Sequence, residues 1–542
     1  MNSQPPKVLI VGAGPTGMTA ALELSRLQIP IRIIEKMPEP ATTSRAVGVQ
    51  ARTLELLEQR GLVEQMLAKG NRGLAGSIYG EGKRVFRLDF SHNGSHYGYM
   101  LFISQAETEA TLRAALENQQ VTIEREVEFV ALSQSEHCDS VKAILKHRDS
   151  SLEEVRCKYL IDSEGAHSIS RTTLNLQFEG KTREENYALG DLYVDGDLPA
   201  TDFHIFSSQF GFMGLFPMGD RRFRLIASNP LSKPNKDTAP SLEELQQIYD
   251  QRSHIPARFH DMSWSSWFRI NSRMVDRLCV GRVFLGGDSA HIHSPAGAQG
   301  MNTGIQDMIN LSWKLALVIK RQADPRLLDT YSDDRIPFIR SVLTKTEGLT
   351  DVIGSENPVF RSVFSHIAPW IVGTDFVQEN STERMSQLSL NYRDSPLSAS
   401  HHFSGSLRAG DRVPNLDVRV IGGRGESMRE ATATSSFQLL DTDRFTLLFA
   451  NLKDAAATHH SVQSFLSPWH GLLTTYSIAP SANAEQQFKS IFGSEPSLIL
   501  VRPDGYAAFL GSDDSLDSLA QYLNSWFPAQ KETEKENVNA RH

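Results

Sequence analysis

The chain has 542 residues, 40% of them hydrophobic and 22% charged, with a formal net charge of -9 at pH 7. That length exceeds one compact domain and calls for two or three, while the acidic balance argues against nucleic acid or an anionic membrane as partner. No uninterrupted apolar run is long enough to cross a bilayer, and Cys138, Cys157 and Cys279 lie too far apart for a zinc site or a disulfide framework, so reduced thiols are expected.

The first expected element is a buried strand, Lys7–Val11 (KVLIV), entered too early to leave room for a signal peptide; a cytoplasmic location is the expectation. Gly12-Ala13-Gly14-Pro15-Thr16-Gly17 follows, then a helical run Met18–Leu27 and a second strand Ile31–Ile34 that ends in Glu35. This is the dinucleotide fingerprint in its strand–turn–helix–strand context. Gly12 would allow the tight turn, Gly14 would let the backbone approach a pyrophosphate and Gly17 would permit close helix packing. Glu35, about twenty residues on, would take a ribose hydroxyl. A plain strand–helix turn accounts for the glycines but not for an acid at that distance.

Further along, Ser44-Arg45-Ala46 precedes a helix over Arg52–Arg60, and Ser104-Gln105 precedes another. Asp162-Ser163-Glu164-Gly165-Ala166-His167-Ser168-Ile169-Ser170-Arg171 forms a central acidic turn. Residues 1–180 read as the alternating strands and helices of an open parallel sheet. Residues 181–280 change character: Ala188–Val194, Asp202–Gln209, Met213–Phe216 and Arg222–Ala227 carry strand-like β-branched and aromatic content. Phe203, Phe206, Phe210, Phe212, Phe216, Trp264 and Trp267 make this insertion suited to a flat molecule, although large apolar residues usually belong to a core.

The densest motif is Arg282–Ala316. A strand, Val283–Leu285, stops at Gly286-Gly287-Asp288; a turn-rich loop, Ser294–Gly300, contains Pro295; a helix begins near Met301. Asp288 would stand at a strand end, where a carboxylate can hold sugar hydroxyls, and the helix start at Gly300, Met301 and Asn302 would present free backbone N–H groups to an electron-rich ring. Taken alone, Asp288 could equally be a helix cap. His291 and His293 have a metal-ligand spacing, but no third ligand of suitable spacing is evident and no metal is assigned.

Together these segments resemble the flavin-dependent aromatic hydroxylases of the p-hydroxybenzoate hydroxylase fold. The resemblance covers about residues 5–400, with Leu328-Asp329-Thr330-Tyr331, Arg335 and Pro337 fitting the end of the flavin domain; Glu164 stands where the family usually has aspartate. It implies an α/β architecture: a discontinuous Rossmann-like FAD-binding domain (1–180 and 281–380) with an inserted β-sheet substrate domain (181–280). FAD is the implied cofactor, held by Gly12, Gly14, Pro15, Thr16, Gly17, Glu35, Arg45, Gln105, Asp288, Pro295, Gly300, Met301 and Asn302. NADPH, or NADH, is the implied reductant. In the implied cycle the nicotinamide reduces FAD, O2 adds at flavin C4a, and the hydroperoxide passes one oxygen to a small aromatic, phenolic substrate. A homodimer is the implied assembly. The phenol-activating base is not legible; Asp191, Tyr193, His204 and Arg269 are candidates by region only.

After a Ser-rich linker (381–408), a third region (409–528) offers strands at Phe437–Leu440, Phe445–Ala450, Leu498–Val501 and Ala507–Leu510, with Arg502-Pro503-Asp504-Gly505 as a hairpin turn. It resembles the thioredoxin-like extension of phenol hydroxylase and pentachlorophenol monooxygenase. No cysteine follows Cys279, so this domain lacks a CxxC pair and cannot do dithiol chemistry. The charged tail, 529–542, is expected to be disordered.

Two alternatives share the cofactor motifs. A flavin monooxygenase acting on a quinone or ketone, by Baeyer–Villiger insertion or epoxidation, would differ only in its pocket. A flavin-binding protein without turnover is the other, and Glu164 is the feature pointing to it. A flavin-dependent halogenase is disfavoured, because Trp264 and Trp267 sit in WSSWFRI and not in a WxWxIP motif.

Overall fold

The apolar run Val8–Val11 is buried on both faces, as such a continuous run requires, and forms an inner strand of a six-stranded sheet. The computed structural model describes residues 6–42, 46–80, 82–134, 139–228, 238–294, 297–353, 381–423, 432–452 and 465–528. It divides into two units, the first of residues 1–312 and 331–390, the second of 313–330 and 391–542.

In the first unit the sheet order is Cys279–Val280, Val283–Leu285, Tyr159–Asp162, Val8–Val11, Ile31–Glu35, Ile123–Arg125, parallel except at the first pair. Register sets the function of this sheet. Val11 is level with both Ile34 and Asp162, and Asp162 with Leu285, so four chain segments leave the sheet at one edge. Carboxyl-terminal strand ends are where open parallel sheets bind ligands.

An eight-stranded sheet runs in the order His291–Ile292, Ala257–Val275, Phe178–Gly196, Arg222–Ser228, Gly211–Pro217, Asp202–Ser208, Ala75–Gly80, Lys83–Asp89. The four strands expected between 181 and 280 are all present, but the last two extend the reading. Ala75–Gly80 pairs in parallel with Asp202–Ser208, so the hairpin 75–89 joins this sheet and not the parallel one. Helix Leu242–Ser253 buries Leu245, Ile248 and Tyr249 in the apolar cluster on one face of the sheet. A three-stranded sheet of Val127–Ser133, Val141–His147 and Leu152–Cys157 supplies further apolar core.

A buried carboxylate ties the returning segment together. Asp307, on the helix Gly300–Ile319, accepts from Arg335 Nε at 2.7 Å and from the Gly287 backbone N–H at 3.1 Å, and meets His291 Nε2 at 2.6 Å. Arg335 also lies 3.9 Å from the centroid of the Phe338 ring. Burial pushes the Asp307 carboxyl up, but Arg335 and His291 outweigh it and hold the group well below the usual carboxylate range.

The second unit carries a seven-stranded sheet in the order Ala399–His401, Ala507–Ser512, Ser497–Val501, Phe445–Ala450, Leu473–Pro480, Asp417–Gly423, Thr432–Ser435. The expected hairpin at Arg502–Gly505 is observed, joining two antiparallel strands. Phe437–Leu440, expected as a strand, is instead a 3-10 turn over Ser436–Leu439 that inserts Phe437 and Leu439 into the core; its apolar content serves burial and not a ladder. The stretch expected as a linker is partly buried, with Leu388 and Leu397 almost fully enclosed, because its apolar residues need cover as any others do. The tail 529–542 lies outside the described residues. Among the described residues no helix is long and apolar enough to cross a membrane.

Removing one partner of a buried pair strands the other charge, so Arg335→Met should cost the first unit about 3–5 kcal/mol in urea unfolding. Lys489→Ala, which breaks an exposed pair with Glu485 in the second unit, should leave stability unchanged within error. The Asp307 contribution is present above its unfolded value of about 4 and is lost as pH falls through the lower folded one.

Candidate active site

Each of the four segments leaving the parallel sheet contributes a turn to one cavity of about 800 Å³ in the first unit. The glycine turn comes first. Gly12 has φ +96° and a Cβ there would lie 2.4 Å from the Ser163 carbonyl oxygen; a Cβ on Gly17 would lie 1.9 Å from the Gly12 carbonyl oxygen. Packing alone therefore demands both glycines. Gly14 differs: a Cβ there would meet no atom of the described residues within 4 Å, yet the residue lines the cavity. What its missing side chain leaves open is cavity space, which fits a cofactor approaching the backbone. Pro15 opens the helix Pro15–Arg26 and lines the cavity together with Thr16.

Glu35 ends the second strand at the cavity wall, where its carboxylate accepts from the Ala13 N–H at 2.8 Å and the Met37 N–H at 3.0 Å. Gln105, first residue of the helix Gln105–Asn118, also lines the cavity and donates to Glu109 at 2.7 Å. Asp288 sits exposed in the short 3-10 turn Gly287–Ser289 and faces the same space, as do Gly300 and Met301 at the helix start. Nine of the expected residues are thus brought to one cavity region or directly support its turn: Gly12, Gly14, Pro15, Thr16, Glu35, Gln105, Asp288, Gly300 and Met301. Gly17 supports from behind.

The Asn302 side chain requires a correction. It is fully buried, accepts from the Gln50 N–H at 2.9 Å and donates to the carbonyl oxygens of Gly48 and Ala298 at 2.9 and 2.7 Å. Its amide is spent on fastening the Gly48–Gln50 segment to the helix start and has no capacity left for a flavin carbonyl. Arg45 and Pro295 lie outside the described residues.

The central acidic turn acts as a clamp. Ser163 Oγ donates to the Val11 and Gly12 carbonyl oxygens, holding the glycine turn. Asp162 accepts from Ser168 Oγ and from the Glu164 N–H. Arg171 donates to the Ser289 carbonyl at 2.9 Å and the Ala166 carbonyl at 2.7 Å, joining this turn to the Asp288 turn. Glu164 itself reaches the cavity wall and accepts from the Ile169 N–H at 3.1 Å. Burial, and then the neighbouring Asp162, push its carboxyl up to about 8.

Much of the remaining wall is apolar and comes from the eight-stranded sheet: Ile78, Phe86, Leu88, Leu189, Phe203, Ile205, Phe212, Phe216, Ile226, Phe268 and Ile270. Phe203, Phe212 and Phe216 were among the aromatic candidates. Phe206 is instead core, Phe210 is half-exposed, and Trp264 and Trp267 pack away from the cavity. Of the regional candidates for a base, Asp191 is locked to Arg224 at 2.7 Å, His204 bonds the Pro199 carbonyl, and Tyr193 stacks on His260; only Arg269 lines the cavity. His293, which also lines it, was considered only as a metal ligand. Among the described residues no group of three or more His, Cys, Asp or Glu is placed to hold a metal ion.

A carboxyl raised in the fold contributes stability below its unfolded value, and that contribution is lost as pH rises through the folded one. Glu164→Gln, a neutral isostere, should therefore gain stability over the parent chain progressively from about pH 4.5 to pH 8. Thermal melts of the FAD-free protein at several pH values check this; a difference independent of pH would contradict it.

Two comparisons by family bear on the geometry. Residues 6–346 match the FAD binding domain family, and residues 407–529 match the C-terminal domain of aromatic-ring hydroxylases. The chain is 30% identical to 6-methylpretetramide 4-monooxygenase of Streptomyces rimosus, over 96% of this chain and 93% of that protein. It is 29% identical to pentachlorophenol 4-monooxygenase of Sphingobium chlorophenolicum, over 96% of each. Among solved structures, the anhydrotetracycline hydroxylase OxyS from Streptomyces rimosus is similar with a TM-score of 0.76 and 26% identity, over 97% of this chain and 99% of that one. The chain belongs to the FAD-dependent aromatic-ring monooxygenases.

Proposed function

We propose that the chain hydroxylates a phenolic small molecule, drawing electrons from NADPH or NADH and one oxygen atom from O2. The observation that carries this reading is the single cavity with two unlike ends, four polar turns on one side and a wall of apolar side chains on the other. Pentachlorophenol, named for one relative, supports a phenol as substrate. The choice of reductant rests on the family resemblance.

FAD, when bound, supplies the electron transfer and the activation of oxygen. The chain's own residues hold and orient. The N-terminus of the helix Pro15–Arg26 and the open space at Gly14 suit a pyrophosphate, which needs backbone N–H groups at close range. Glu35 can exchange part of its present bonding to backbone for a ribose hydroxyl, and Asp288 and Gln105 suit sugar or ribityl hydroxyls. The start of the helix Gly300–Ile319 lines the cavity and would offer its dipole to a flavin ring that gains negative charge on reduction. Arg45 and Pro295 remain part of the proposal through the resemblance. At the other end, Phe203, Phe212, Phe216 and Phe268 exclude water and favour a flat ring. In the second unit, a parallel pair beside two antiparallel strands, followed by a helix, supports a thioredoxin-like reading without dithiol chemistry.

Gly14→Ala should melt with the parent chain yet bind FAD at least about tenfold more weakly, since its Cβ would fill only cavity space. Gly12→Ala, strained and in collision with Ser163, should lose stability first. Glu35→Ala should weaken FAD binding by about 1.5–3 kcal/mol, the worth of a charge-assisted hydrogen bond, read by fluorescence titration. Purified protein loaded with FAD should oxidise NADPH or NADH faster in the presence of one class of phenol, with little peroxide released. Acceleration confined to quinones or ketones would replace the phenol reading, and tight FAD binding with no acceleration by any ring would remove the hydroxylase.

A further inference from the structure

The segment 381–388 lies between the two family matches, 6–346 and 407–529, and belongs to neither. It nevertheless reaches the cavity. Ser381 and Met385 both line it, and because 381–385 is helical, their spacing of four puts them on one face. Thr382 and Ser386, one position further on, are buried, and the Ser386 N–H donates to the Thr382 carbonyl at 2.8 Å. The turn therefore shows one face to the cavity and the next to the protein.

Bonds on the buried side fix where the Met385 side chain starts. The Arg52 N–H donates to the Ser386 carbonyl at 3.2 Å, and Asn93 Nδ2 donates to Ser386 Oγ at 3.2 Å. Gln387 donates to Gln299 Oε1 and accepts from Gln306 Nε2 at 2.6 Å. Gln299 Nε2 in turn donates to the Met385 carbonyl at 3.2 Å. Gln299 lines the cavity one residue before the helix Gly300–Ile319, so the segment is tied to that helix start.

The Met385 side chain packs against the apolar cluster containing Ile78, Met100, Phe203 and Ile205, all of which line the cavity. Ala298, next to Gln299, packs against the same cluster. Met385 thus stands where the helix start meets the apolar wall, and it is only partly buried. Its chemistry suits that place. A thioether on an unbranched, flexible stem fills irregular gaps and makes favourable contacts with the edge of an aromatic ring.

We propose that Met385 sets the size of ring system the substrate end accepts, closing the apolar wall beside Ala298 and Gln299. A shorter side chain there lengthens the space open to a flat molecule, and a bulkier, stiffer one shortens it. Neither change touches the glycine turn, Glu35 or Asp288. The inference rests on reading the cavity as the site of FAD and an aromatic substrate.

The test titrates phenol, 2-naphthol and 2-hydroxyanthracene, of one, two and three rings, onto the FAD-loaded protein and reads binding from the flavin spectrum. The parent chain is compared with Met385→Ala, Met385→Phe and the nearly volume-conserving Met385→Leu. The readout is the ratio of three-ring to one-ring affinity, because a general loss of structure would weaken all three compounds alike. That ratio should rise about tenfold in Met385→Ala and fall about tenfold in Met385→Phe. In Met385→Leu it should stay within about twofold of the parent, and FAD affinity should hold in every variant. A ratio unchanged in Met385→Phe, or moved the same way by Ala and Phe, would overturn the proposal. Should Met385→Ala fail to fold, the Phe and Leu variants decide. A parent chain that binds FAD but none of the three rings would overturn the aromatic reading of the cavity, and this inference with it.

Discussion

The site depends on the register of four parallel strands. Because Val11, Ile34, Asp162 and Leu285 end level with one another, the glycine turn, Glu35, the acidic turn and the Asp288 turn emerge side by side from segments more than 270 residues apart at the extremes. A slip of one residue in any pair would move its turn away from the others and invert the burial of that strand. The hydrophobic pattern that holds the sheet together is therefore also what assembles the cavity.

Clamps then hold the turns at fixed separations. Ser163 holds the glycine turn and Arg171 joins the acidic turn to the Asp288 turn; Asp307 ties that turn to the helix start and to His291. These bonds go mainly from side chains to backbone carbonyls and N–H groups, so they set backbone position, which is what recognition of a cofactor by helix N-termini needs. The motif running from Asp162 to Arg171 thus acts on the cavity largely through backbone, with Glu164 among its residues at the wall. Glu164 adds a carboxyl held neutral over much of the pH range, a charge-free surface beside the space intended for an anion.

Local signals made much of this legible in the sequence. Glycine turns, strand ends and helix starts are decided within a few residues, and Gly12, Gly17, Glu35 and Asp288 stand where their spacing placed them. The apolar wall was only partly legible. Ile78, Phe86 and Leu88 reach it because the hairpin 75–89 pairs with a strand more than a hundred residues later, and no local pattern announces that partnership. The Asn302 side chain was misread because a polar residue at a helix start serves equally to bond cofactor or neighbouring backbone. Phe437–Leu440 shows the same limit, since a short apolar run does not reveal whether it will form a ladder or a turn.

The central claim is that four separated turns form one FAD site. Hydrogen exchange of the protein with and without FAD tests it most directly. The account predicts joint protection of backbone amides at residues 12–17, 35–37, 163–169 and 286–301 on adding FAD, with the second unit, 391–542, largely unchanged. Protection confined to one of these segments, or concentrated in the second unit, would contradict the site.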